Sequence, residues 1–209
     1  MTFTKIKRMI GAMAVSVVAL LLTSCQEPLG MGVTTVFEHR DCQSVLLLQP
    51  EQDGDGRAFL RIRTDGILQE SDKEIESQIL EYHHRKASDT GSAMDLIVYH
   101  TNVCTSLQIE ASLPVFGQEA GEDLSGFFLL DKNGPGYIIK SNKELVGSIL
   151  GYSLAHGEIT LSEWLSLSPL MLHELYLKSK QPAALPPGIV FTVKVTLDGE
   201  KELEATATF

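Results

Sequence analysis

Positive charge is scarce in this sequence: 17 Lys and Arg stand against 27 Asp and Glu, for a formal charge of −10. A surface of that sign excludes nucleic acid and bare anionic lipid as main partners, because both require a basic footprint. Aromatic platforms are also few. Trp164 is the only tryptophan, and Tyr137, Tyr152 and Tyr176 fall in apolar stretches where core packing is their default, which weakens glycan recognition. No apolar run reaches the ~20 residues needed to cross a hydrocarbon core, since the run from Met9 to Leu22 is shorter. No CxxC pair occurs, His173-Glu174 lacks the second histidine of a zincin helix, and no internal repeat is visible.

What is present begins at the N-terminus. Lys5, Lys7 and Arg8 precede the apolar run, small polar residues follow it, and Cys25 comes next, in the layout of a secretory signal peptide. Leu22-Thr23-Ser24-Cys25 resembles the lipobox of bacterial lipoproteins, a Leu, two small residues and a Cys. The resemblance covers residues 1 to about 26. It implies cleavage before Cys25, acylation of that cysteine, and anchoring through lipid alone; Gln26 in place of Asp favours the outer membrane. Each buried acyl methylene contributes ~0.8 kcal/mol, so a multiply acylated cysteine anchors durably. The expected organisation is therefore a signal peptide over 1–24, a lipidated terminus and flexible tether over 25–33, and one β-rich domain over 34–209. Removing three cations and no acid takes the mature charge to −13.

Once Cys25 is lipidated, Cys42 and Cys104 remain, and thiols exported to an oxidising compartment usually pair. A Cys42–Cys104 disulfide is expected, worth about 4 kcal/mol by chain entropy.

Along the mature chain, short extended runs are expected at 34–39, 44–49 and 57–64, the last two joined across Gln52-Asp53-Gly54-Asp55-Gly56. Ser71 to Lys86 reads as a helix with a Ser71/Glu74 capping box and a face of Ile75, Ile79 and Tyr82. Strands are expected at 95–101 and 106–113, and a hairpin joins 126–131 to 137–140 across Lys132-Asn133-Gly134-Pro135-Gly136. Residues 141–157 read as a helix weakened by Gly147 and Gly151. Over 161–180 a short helix and then a second one opened by Ser168 and Pro169 are expected. The clearest element is a hairpin over 189–209. Parity demands an odd loop if its apolar faces are to coincide: a three-residue loop, Asp198 to Glu200, pairs Val195 with Leu203, and a five-residue loop pairs Leu197 with Leu203. The expected fold class is mainly β with one to three helices (α+β), an antiparallel sandwich-like domain.

Candidate chemistry is sparse. Gly151-Tyr152-Ser153-Leu154-Ala155 is one residue from the nucleophile elbow of serine hydrolases, with His156 and His173 as the later histidines, but Asp198 follows His173, and Glu158 and Glu163, which precede it, lack the usual strands. His83-His84 point about 100° apart on a helix and suit its C-terminal dipole better than one metal ion. Asp53 to Gly56 falls short of a calcium loop at Arg57 and Ala58, and Glu119, Glu122 and Asp123 read as a solvated acidic loop. No cofactor or metal is expected. The function expected is that of a non-enzymatic outer-membrane lipoprotein that contacts the membrane through Cys25 and binds an envelope protein or a ligand. The alternatives are a structural accessory of a surface assembly, using the 189–209 hairpin for strand addition, and a hydrolase using Ser153.

Overall fold

The structure, a computed structural model, describes residues 35–86, 96–133 and 136–209. Cys25, the signal segment and the tether lie outside the described residues, as do the His83 and His84 side chains. Among the described residues the fold is mainly β, with three α-helices. A large mixed sheet carries most of it, and a two-stranded sheet stands beside it.

The first strand, β1 (Val36–Leu47), merges the two runs expected at 34–39 and 44–49, with a bulge between Cys42 and Ser44. It pairs with β3 (Ala58–Leu68) across a turn that includes the short β2 (Glu51–Gln52). In that turn Asp53 Oδ1 accepts the Asp55 and Arg57 N–H groups, which is turn chemistry. The helix α1 (Lys73–Lys86) follows. Its cap is Asp72 rather than Ser71, because Asp72 Oδ1 accepts from Glu74 N and Ile75 N. Ile75 and Ile79 then seat against Ile97, Tyr99, Ile139 and Leu170 in a small core of their own.

The 16-residue β4 (Leu96–Ala111) replaces two expected strands and belongs to both ends of the fold. Residues 96–100 pair in parallel with β1, and residues 104–111 pair with β11 (Val190–Leu197). β11 forms the expected hairpin with β12 (Lys201–Thr208), and Val195 faces Leu203 across a three-residue loop.

Three expectations in the middle of the chain are corrected. β5 (Phe128–Leu130) and β6 (Tyr137–Ile139) do not form a hairpin: β5 pairs with β8 (Ile159–Thr160) and β10 (Glu174–Ser179), and β6 pairs with β7 (Leu145–Ser148). Residues 141–157 are a turn, then β7, then a shorter helix α2 (Ile149–His156), whose cap is Ser148 accepting from Gly151 N. The short helix expected after Thr160 is present as α3 (Leu161–Ser166), closed by a Thr160/Glu163 capping box. Residues 170–180 are strands instead of a second helix. Leu175 and Leu177 face the core, and Leu170, Met171 and Leu172 of β9 (Leu170–Leu172) are all buried, so the five-residue leucine rhythm reflects a change of partner between two short strands.

That change closes the sheet on itself. β4 pairs with β1, β1 with β3, β3 with β10, and β9 pairs back to β4. Only His173 separates β9 from β10. The strands therefore form a ring whose inside continues into the main core, where Leu60, Ile62, Phe128, Trp164, Phe191 and Val193 are fully or almost fully buried.

Candidate functional site at the mouth of the strand ring

Residues opposite one another on paired strands share a face. The parallel register sets Glu38 beside Val98 and Arg40 beside His100, so these side chains line the inside of the ring, and Thr64 of β3 joins them. The other face carries Phe37, Ile97 and Tyr99 towards α1. Depth sorts the inner face: Leu96 at the rim is 58% exposed, whereas His100 is 0% and Thr64 1% exposed. A cleft of about 530 Å³ opens there, and one of about 310 Å³ adjoins it along Leu96, Val98 and His173.

The floor is a polar knot. Thr64 Oγ1 lies 2.6 Å from His100 Nε2, 2.8 Å from the Leu172 carbonyl and 3.2 Å from that of His173, while Thr64 N donates to the same His173 oxygen. The hydroxyl has one proton and faces carbonyls that can only accept. This assigns its proton to Leu172 O and the hydrogen between ring and hydroxyl to His100 Nε2. His100 Nδ1 and His173 Nδ1 are buried without hydrogen-bond partners, and the two rings stand 6.3 Å apart. Burial, helped by His173, lowers the His100 pKa to about 4, against the opposing pull of the Arg40 carbonyl and of Asp65. Burial also lowers that of His173. Both imidazoles are neutral near pH 7.

Charge surrounds the knot in two groups. Arg40 sits between Glu38 and Asp65, and its hydrogen bond to Glu38 raises its pKa further. The Gly66 N–H and Arg40 hold the Asp65 carboxyl below its usual range. On the other side Glu174 Oε1 meets Arg61 Nη2 at 2.8 Å and Arg63 Nε at 3.5 Å, and Tyr176 donates to Oε2. Burial pushes the Glu174 carboxyl up, but these donors outweigh it and leave the pKa lowered.

No protein-family model and no curated protein matches the chain.

The candidates read from sequence are scattered. Ser153 lies in the second turn of α2, away from any strand-to-helix elbow, and its buried Oγ has no partner. It lines a separate cavity of about 200 Å³ with Asp131 and Lys178, whereas His156 packs on Tyr152 and His173 lines the ring mouth. Asp123 caps its own loop by accepting from Ser125 N and Oγ, and Glu122 accepts from Glu119 N. Among the described residues no group of three or more His, Cys, Asp or Glu could hold a metal ion, and no helix is long and apolar enough to cross a membrane.

Cys42 and Cys104 are both buried as free thiols, so the expected disulfide is absent. Each Sγ donates instead to a carbonyl two residues on in its own strand, Cys42 to Ser44 and Cys104 to Ser106. Burial pushes Cys42 to about 11 and Cys104 to about 12.

Sequence reasoning missed Thr64, His100, Arg40 and Asp65. A signal existed: His100 and Asn102 fall on the alternation of Val98 and Cys104, which marks polar residues on an inward face.

Proposed function

We propose that this chain is a cell-envelope lipoprotein, anchored at the outer membrane through lipid on Cys25, whose domain binds a ligand or an envelope partner at the ring mouth without catalysing a reaction. The observation that carries the binding part is the paired cleft, which joins apolar rim residues to two charged groups above a buried polar floor. Its combined size falls in the roughly 300–1,000 Å³ range of small-molecule sites, and barrel mouths are favoured places for them. The floor supports binding over chemistry: the Thr64 proton is committed to a carbonyl and His100 is fully buried.

The anchor is tested by feeding cells an alkyne-tagged fatty acid. The full-length protein should take up label and sediment with outer membranes, and Cys25→Ala should lose both. Unlabelled wild-type protein in the soluble fraction would sink the anchor. The binding site is tested by a photo-crosslinking residue at the exposed Leu96: adducts formed in cells at Leu96, but not at Thr206 on the far hairpin, support the mouth, and equal yields overturn it.

A further inference from the structure

The two charged groups at the mouth are not balanced one by one. Arg40 serves two carboxylates, Glu38 and Asp65, which leaves negative charge in excess at that end. At the other, Glu174 serves two guanidinium groups, Arg61 and Arg63, and Glu51 acts on Arg61 as well, so Arg63 is the cation left without a carboxylate of its own. Arg63 is the looser partner, because its Nε stands 3.5 Å away and its side chain is 51% exposed. Both ends face the larger cleft through Asp65 and Arg63, two residues apart on β3 and therefore about 7 Å apart along the strand.

Apolar surface adjoins this split. Leu46 and Leu96 are more than half exposed at the rim, and Val98 and Leu172 extend the apolar wall into the smaller cleft. A ligand that covers the leucines and spans the charges must carry a cation and an anion a few ångströms apart on the end of an apolar chain.

We propose that the mouth binds a zwitterionic amphiphile, a phospholipid with a phosphoethanolamine-type head, placing its phosphate at Arg63, its ammonium at Glu38 and Asp65, and acyl chain along Leu96, Val98 and Leu172. This rests on the mouth being the binding site. A purely anionic lipid leaves Glu38 and Asp65 unanswered and approaches a chain of strongly negative charge. A neutral lipid leaves both ends unanswered, and polar groups that lose water without gaining a partner weaken binding.

The test is calorimetric titration of the full-length protein with monoacyl phosphoethanolamine, monoacyl phosphoglycerol and monoacylglycerol of one chain length, each below its micelle concentration. The phosphoethanolamine lipid should bind at least about tenfold more tightly than either competitor, the scale of one charge-assisted contact. Arg63→Gln should erase the preference over monoacylglycerol and Asp65→Asn the preference over monoacyl phosphoglycerol, with both variants, at exposed side chains, still unfolding cooperatively. Leu96→Asp should weaken all three lipids. Equal binding of the three overturns the zwitterion and leaves the mouth standing as a site. Failure of all three to bind overturns the lipid, and the crosslinking at Leu96 then decides separately whether the mouth binds a protein.

Discussion

The side chain of Asn102 ties three strands at the point where they part: its Oδ1 accepts the Cys42 N–H at 2.7 Å, and its Nδ2 donates to Asp198 Oδ2 at 2.7 Å. Asp198 Oδ1 accepts from Val103 N, and Asp198 itself takes left-handed backbone at φ 54° to turn the β11–β12 hairpin. β1 leaves β4 here and β11 takes its place, so Asn102 supplies the acceptor that a departing strand withdraws. Asn102→Ala should cost about 1–3 kcal/mol in urea unfolding, because a buried N–H loses its partner. Asn102→Asp should cost more at pH 7 than at pH 4.5, since it sets two carboxylates together. Equal cost at the two pH values would contradict the contact with Asp198.

Acid sensitivity follows from the buried imidazole of His100. Its folded-state pKa of about 4 lies below the unfolded value near 6.5, so the unfolded chain holds more protons between the two. Stability should be complete above about pH 6.5 and fall as pH drops towards 4, by on the order of 3 kcal/mol. His173 shifts in the same direction. The informative window is pH 6.5 to 5, above the range where the carboxylates titrate. His100→Gln should flatten the stability profile there; an unchanged slope would place the proton uptake elsewhere.

Thiol counting reports on two features at once. The native protein should react slowly with Ellman's reagent at pH 8, because both buried thiols are pushed well above that pH. After unfolding without reductant, two thiols should appear if Cys25 is acylated and Cys42 and Cys104 are free. Three would refute acylation. None would show that Cys42 and Cys104 pair.

Gly66 faces Cys42 at the β1 bulge, where an added Cβ would lie 2.0 Å from the Asp41 carbonyl oxygen. Gly66→Ala should therefore destabilise by at least the roughly 1–3 kcal/mol of an overpacked site. The same exchange at Gly126, with nothing within 4 Å of the added atom, should be close to neutral and serves as the control. Similar melting temperatures for the two variants would argue against the close approach.

Ser153→Ala removes a buried hydroxyl that has no partner and adds helix propensity, so it should leave stability unchanged or raise it by up to about 1 kcal/mol. Labelling of wild-type protein by a fluorophosphonate, lost in this variant, would revive Ser153 as a nucleophile.

Where local chemistry decides the outcome, the structure was legible from the chain. The 189–209 hairpin followed from strict alternation and parity, and α1 from its apolar face, although the cap moved by one residue to Asp72. The β5/β6 turn misled because its Gly and Pro residues mark a reversal without naming the strand that will be paired. Residues 170–180 misled because Ser168-Pro169 is an acceptable helix start, whereas the demand that made them strands comes from the open edges of β3 and β4. The mouth was illegible for the same reason. Thr64, His100 and His173 lie far apart in sequence and meet only because the sheet rolls.

That rolling sets the order in which the molecule can assemble. Thr64 reaches Leu172 across 108 positions of chain, so the last seal on the ring is among its longest-range contacts. Such closures are entropically slow, and proteins dominated by them fold in milliseconds to seconds rather than microseconds. Until residues 170–179 arrive, β3 and β4 each present an unpaired edge, and the chain in that state is open to strand pairing with its neighbours.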